Sequence, residues 1–381
     1  MPARPEQFEV IAVRCTPGEL TLTWQNALRK TRSTAYSSIW LRDNSPANRD
    51  ACTGQRLTSV IELTPQPLLK TAALQAPGHI HVSWEDGESS IFPATFFREF
   101  ERGRRISCRP VQLPWLKQPA ANFAWCDYAN WVESRAVRAG WLHSMARDGM
   151  AFLHGVPVQD GAILGVAAQL GFVRETNYGR VFDVRGVAQP NGLRAHTGDP
   201  YREPVPGFRL MQCLAVADQG VDSLFVDGLA VAERLRIRDP QSFALLSKTP
   251  IRFHFRDDEL DLAADRLMIE VDVHEQFRAI HYDDRSIAPL TLRGASLTKY
   301  YAAYRQLASL LADPARCVTH RLLPGDVVIL DNTRVLHGLT DFSAGEGVGL
   351  SQGCYVDADG IYSSLAVLSR KTSTRSDNIE R

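Results

Sequence analysis

From Pro206 onward the chain is a succession of short apolar runs, each closed by turn-forming residues, and this pattern constrains the fold more than any other feature. The runs fall at 208–215, 223–227, 251–256, 268–273, 278–282, 318–322, 327–331 and 349–355, with helical spacing only at 228–247 and 296–313. Many short strands bounded by turns, with few helices, predict a double-sheet jelly roll or barrel. No internal repeat competes with that reading.

The preceding chain divides in two. Residues 8–108 carry apolar runs at 8–13, 20–24 and 80–84, separated by signals such as Pro17-Gly18 and Asp86-Gly87, and predict a small β-rich domain. Within it, Ile39-Trp40-Leu41-Arg42-Asp43-Asn44 reads as a strand running into a surface loop. A charged, proline-rich stretch at 104–119 reads as a linker, so the expected domains are 1–110 and 111–381. Helices are expected at 127–147 and 160–171, a strand at 150–153, and a loose tail from Arg370. The fold class is therefore α+β, mainly β.

Composition narrows the function. Lys+Arg and Asp+Glu both number 43, which gives no support to a nucleic-acid or acidic-membrane partner. The seven cysteines are scattered, with no C-x-x-C pair, against a disulfide framework or a cysteine zinc site. The N-terminus carries no apolar signal segment, and no run of about 18 apolar residues occurs, so the expected setting is cytoplasmic. The expected partner is a small-molecule substrate; a homodimer is admitted but not required.

Two stretches carry the chemistry. Ala195-His196-Thr197-Gly198-Asp199-Pro200-Tyr201 and Asp331-Asn332-Thr333-Arg334-Val335-Leu336-His337-Gly338 each set a histidine beside turn-forming residues, the second just after a buried strand pattern. Two histidines at strand ends could share one metal, and the third ligand is left open. No G-x-S-x-G, P-loop or G-x-G-x-x-G occurs, so serine-hydrolase, nucleotide and dinucleotide readings have no support.

These motifs resemble the gamma-butyrobetaine and trimethyllysine dioxygenases, within the taurine dioxygenase-like group of iron(II)- and 2-oxoglutarate-dependent oxygenases. The resemblance runs through Trp40-Leu41-Arg42-Asp43-Asn44, Val82-Ser83-Trp84-Glu85-Asp86-Gly87, His196-Thr197 with Pro200-Tyr201, Pro204-Val205-Pro206-Gly207, Pro324-Gly325-Asp326, the His337 stretch and Gln352-Gly353-Cys354-Tyr355-Val356-Asp357. It implies a double-stranded β-helix behind an N-terminal β domain, with Fe(II) held by His196 and His337. Bacterial relatives acting on trimethylammonium phosphonates look similar across the His196 stretch.

The departures are as specific as the matches. Where the family has the carboxylate of its His-x-Asp pair, this chain has Gly198, with Asp199 one place later and able to reach a metal only through a backbone bulge. The family's 2-oxoglutarate arginine falls at Gly349, and no Arg or Lys lies between Arg334 and Arg370, which argues against ordinary use of that cosubstrate. The family's zinc ligands fall on Ser45, Ala47, Asp50 and Glu88, so no structural zinc is expected. The family's aromatic cage for a quaternary ammonium maps to Tyr178, Phe182, Tyr201 and Tyr355, with Arg180 and Arg202 nearby to meet a phosphonate or carboxylate. Asp283 replaces a family asparagine and would attract an amine.

The expected function is thus a non-haem iron oxygenase-like oxidoreductase acting on a small amine, quaternary ammonium or phosphonate compound. Its catalytic residues would be His196, His337 and Asp199. Two alternatives stand beside it: a 2-oxoglutarate-independent lyase, cleavage or isomerase reaction on the same fold, and a non-catalytic binding homologue.

Overall fold

The computed structural model describes residues 8–75, 78–100, 110–185, 193–216, 221–340 and 349–376. The chain forms two compact units, Met1–Ser107 and Cys108–Arg381.

The first unit holds two antiparallel three-stranded sheets. One is β1 (Phe8–Thr16), β2 (Glu19–Asn26) and β3 (Thr31–Ser37); the other is β4 (Leu69–Gln75), β5 (His79–Trp84) and β6 (Ser89–Pro93). Alternation decides the packing: Leu20, Leu22 and Trp24 of β2 and Ile80, Val82 and Trp84 of β5 are the buried faces, and they meet in one core. The Trp40 stretch is not a strand but helix α1 (Ser38–Asp43), because the Ser37 hydroxyl accepts from the Trp40 N–H and starts a helical turn. A second short helix, α2 (Ala94–Glu99), follows β6. At the positions matched to zinc ligands, Ser45 Oγ bonds Ser90 Oγ at 2.8 Å, Glu88 pairs with Arg42 at 2.9 Å, and Asp50 accepts from the Cys52 and Thr53 N–H groups.

The second unit begins with β7 (Ala124–Asp127), α3 (Tyr128–Glu133), α4 (Arg135–Asp148), β8 (Met150–His154), α5 (Ile163–Leu170), β9 (Val173–Arg174), β10 (Phe182–Arg185), β11 (Leu193–His196), β12 (Phe208–Ala215) and β13 (Ser223–Asp227). It continues with α6 (Gly228–Arg238), α7 (Pro240–Lys248), β14 (Ile251–Arg256), β15 (Asp261–Arg266), β16 (Ile269–Val271), β17 (Phe277–Ile280) and α8 (Gly294–Leu311). β18 (Cys317–His320), β19 (Val327–Asp331), β20 (Val335–Leu339), β21 (Leu350–Val356) and α9 (Ala358–Ser376) complete it. The large sheet has the order β10-β21-β12-β19-β8-β7, with β9 also on β21, and the small sheet the order β11-β20-β13-β18. Two facing sheets of this kind form the jelly roll.

Local chemistry explains where the helices differ from expectation. The single helix expected at 127–147 is α3 and α4, divided at Ser134, whose hydroxyl caps the new helix by accepting from Val137 N–H. The one expected at 228–247 is likewise divided, at Asp239-Pro240: Asp239 caps α7 through Ser242, and proline suits the first helical position. The tail is not loose at Arg370 but continues α9 to Ser376; the start of that helix buries Ile361, Tyr362 and Leu365 in the core shared with α4 and α5.

Strand parity sorts the side chains. On β12, Phe208 and Leu210 face the helix-covered outer core, while Met211 and Cys213 join Met150 and Phe152 of β8, Val328 and Leu330 of β19 and Phe225 of β13 between the sheets. By the same period of two, Arg209 faces the space between the sheets. On β20, Leu336 faces the outer core formed with α6–α8, so Val335 and His337 face inward.

Candidate active site

The histidines meet because β11 and β20 pair antiparallel with His196 directly opposite His337. Their ring centroids lie 4.6 Å apart, and both residues are buried. The carbonyl of Arg194 accepts from Nδ1 of His196 at 3.0 Å, which fixes the neutral tautomer with its lone pair on Nε2. Burial, helped by the Arg285 charge and more weakly by Arg209 and opposed by Asp283, pushes the His196 pKa down to about 4. Burial, then the charge of Arg209, holds His337 well below the usual histidine range. Both rings are therefore neutral donors, the form a metal requires.

Gly198 is wedged rather than spare. Its N–H donates to Asn332 Oδ1 at 2.6 Å, and Asn332 Nδ2 donates back to its carbonyl at 2.8 Å. A Cβ at 198 would stand 2.5 Å from the Tyr355 hydroxyl and 3.0 Å from Asn332 Oδ1. The tyrosine thus occupies the space through which a carboxylate at this position would have to leave the backbone.

Asp199 does not turn toward the histidines. Its backbone is left-handed, at φ +50°, and its carboxylate takes Arg202 Nε at 3.0 Å and the Tyr201 hydroxyl at 3.1 Å. The expectation that it completes the metal shell gives way to this pairing. Asp283 is the carboxylate whose charge reaches His196; it is buried and paired with Arg285 at 2.9 Å. Its segment is held beside His196 because Thr197 N–H donates to the Tyr282 carbonyl and Tyr282 N–H to Thr197 Oγ1. Among the described residues, no three His, Cys, Asp or Glu side chains gather as a metal site.

The aromatic residues do assemble. Phe182 lies 5.4 Å from Tyr355 and 6.0 Å from Tyr178, and the Tyr178 and Tyr201 hydroxyls are 3.3 Å apart. Phe255, which sequence reasoning passed over, stacks on Tyr201 at 5.1 Å. Phe182 can lie across β21 only because residue 353 is glycine: a Cβ there would be 2.5 Å from its ring. Cations already cover these faces, with Arg202 over Tyr178 and Tyr201 at 5.8 and 5.7 Å, and Arg209 over Phe182 and Tyr355 at 5.5 and 5.9 Å. Arg180 is exposed.

Arg209 is the main residue that sequence reasoning missed. Its Nη1 donates to Nε2 of His337 at 2.6 Å; arginine can only donate, so the imidazole accepts. The available signal was a charged residue on the same strand face as Met211 and Cys213.

Residues 118–355 match the family described as taurine catabolism dioxygenase TauD, TfdA family. The chain belongs to the TauD, TfdA dioxygenase family. It is 30% identical over 365 residues to the gamma-butyrobetaine dioxygenase of Pseudomonas sp. (strain AK-1), covering 92% of this chain and 94% of that one. It is 26% identical to the human gamma-butyrobetaine dioxygenase, covering 88% and 92%. Among solved structures, PvcB from Pseudomonas aeruginosa aligns over 67% of this chain and 95% of its own, at 18% identity and a TM-score of 0.48. As a TauD-family member the chain is an oxidoreductase, and Fe(II) is the metal that membership implies.

The residues fit that metal in part. His196 and His337 supply two neutral imidazoles, and the space a protein carboxylate would use is filled by Tyr355. An ion held by this pair would need its remaining ligands from outside the chain, and at His337 it would compete with the Arg209 guanidinium for one lone pair.

Proposed function

We propose that this chain is a non-haem iron oxygenase of the TauD family that oxidises a small compound joining an amine or quaternary ammonium to an acid group. The carrying observation is the juxtaposition of two buried neutral imidazoles with the Tyr178, Phe182, Tyr201 and Tyr355 ring cluster. The relatives named for gamma-butyrobetaine support the cationic part of the substrate, and the arginines support the acidic part.

Fe(II), when bound, would supply dioxygen activation. The residues of the chain do the rest. His196 and His337 hold the ion as neutral ligands, and the Arg194 carbonyl orients the first of them. Tyr355 and Phe182 form an apolar wall that excludes water, with the Tyr355 hydroxyl kept protonated by burial. Arg202 is drawn onto Asp199, which places its charge over Tyr178 and Tyr201, where the acid end of a substrate would meet it.

A second reading, a 2-oxoglutarate-independent reaction on the same fold, is favoured by the bond from Arg209 to His337. One experiment separates them: load the protein with Fe(II) under anaerobic conditions, add oxygen with a panel of trimethylammonium carboxylates and phosphonates, and measure bound metal, oxygen uptake and succinate from 2-oxoglutarate. Substrate-dependent oxygen uptake supports the oxygenase. Uptake with succinate identifies 2-oxoglutarate as cosubstrate, and uptake without it supports the second reading. Bound metal with no uptake on any of the panel counts against the oxygenase and leaves only a lyase or isomerase form of the second reading.

A further inference from the structure

We propose that Arg209 is an anion anchor beside the histidine pair, and that a small carboxylate bound to it is what frees His337 to take a divalent metal. The inference rests on the reading of His196 and His337 as metal ligands, but the anchor itself can be tested without metal.

Three observations carry it. Arg209 comes from the large sheet and crosses to the small one, so its charge lies between the sheets, with Nη1 2.6 Å from Nε2 of His337. Among the described residues no carboxylate pairs with it: its neighbours are the His337 nitrogen and the faces of Phe182 and Tyr355, and its Nε–H has no partner. A guanidinium in that setting is a five-donor fork with most of its donors unspent, and a carboxylate is the group whose geometry matches it. A metal dication placed at His337 meets a fixed positive charge and a nitrogen lone pair already engaged. An anion on Arg209 removes both obstacles, by neutralising the charge and by drawing the guanidinium off the ring.

This is a linkage, so it works in both directions: the anion raises metal affinity, and the metal raises anion affinity by the same factor. The position also differs from Gly349, since Arg209 lies opposite Tyr355 on the neighbouring strand, whereas Leu350 lies opposite Ala215 at the other end of the same pairing.

The test uses the full chain in chloride-free, carboxylate-free buffer. Titrate Mn(II) by calorimetry alone, with succinate (a carboxylate without the chelating 2-oxo group) and with chloride; then titrate succinate into metal-free protein. The expected result is Mn(II) binding tightened about tenfold or more by an anion, within the usual range of coupling. For Arg209→Gln, Mn(II) alone should bind more tightly than to the natural protein, the anion effect should fall to about twofold or less, and succinate binding without metal should be lost. Arg209→Lys, which keeps charge but not the fork, should weaken succinate several-fold, and serves if the glutamine variant does not fold. Coupling by succinate assigns the anchor to an organic acid; coupling by chloride alone assigns it to a halide and overturns the carboxylate claim. An anion effect absent from the natural protein, or undiminished in both variants, overturns the proposal. Failure of Mn(II) to bind under every condition, with Arg209-dependent succinate binding intact, removes the metal reading and leaves the anchor standing.

Discussion

The Tyr355 hydroxyl lies 2.5 Å from where a Cβ at Gly198 would stand. The absence of a side chain at 198 and the presence of the tyrosine at 355 are therefore one arrangement. Gly198→Asp should not create a metal ligand by itself; it should destabilise the protein by about 1–3 kcal/mol, the usual cost of forcing atoms into a packed site. Gly198→Asp with Tyr355→Phe should recover part of that loss and bind Mn(II) more tightly than either single variant. Denaturation midpoints and Mn(II) calorimetry check both statements, and a single variant as stable as the natural protein would contradict the contact.

Acid should unfold the metal-free protein partly through the histidine pair. His196 titrates near 4 in the folded chain against 6.5 for an unburied histidine, and His337 is lowered in the same direction. Between those values the unfolded chain binds more protons, so stability rises with pH across the window and is lost as pH falls from 6.5 toward 4. The His196 contribution is on the order of 3 kcal/mol. Urea denaturation at pH 7 and pH 4.5 should show a smaller difference for His196→Gln than for the natural protein.

Arg334 is fully buried and makes a two-point pair with Asp227, at 2.9 and 3.0 Å, while also donating to the carbonyls of Arg147 and Leu113. It sits three residues before His337 and ties the start of β20 to β13 and the segment before β7. Arg334→Ala leaves Asp227 buried without its charge partner, and the expected loss is about 3–5 kcal/mol. Chemical denaturation measures it; a loss below about 1 kcal/mol would contradict the buried pair.

Gly353→Ala should move the Phe182 ring, since the new methyl would stand 2.5 Å from it. The variant should lose about 1–3 kcal/mol of stability. Because Phe182 and Tyr355 also flank Arg209, it should alter the binding of tetramethylammonium or succinate as well, and calorimetry with these two ions shows which face of the site the ring serves.

Elements whose signals are local are legible along the chain. Alternation at 208–215 and 327–331, turn residues between the runs, and caps such as Ser134 and Asp239 are short-range steric and hydrogen-bonding preferences, and they account for the run of strands that builds the jelly roll; His196 does end β11, whereas His337 lies in the middle of β20 and not at a strand end. Where a local signal was misread, as in the helix at Trp40 and the helical tail past Arg370, a cap or an amphipathic stripe was present in the chain but outweighed by composition. How the site is completed depends on contacts between the sheets. Asp199 adjoins His196 in sequence yet turns to Arg202, while Arg209, 128 positions from His337, reaches its Nε2 from the opposite sheet. The reason is physical: side-chain partners between sheets are set by strand register and by the closure of one sheet over the other, and neither is encoded in the neighbours of a residue along the chain.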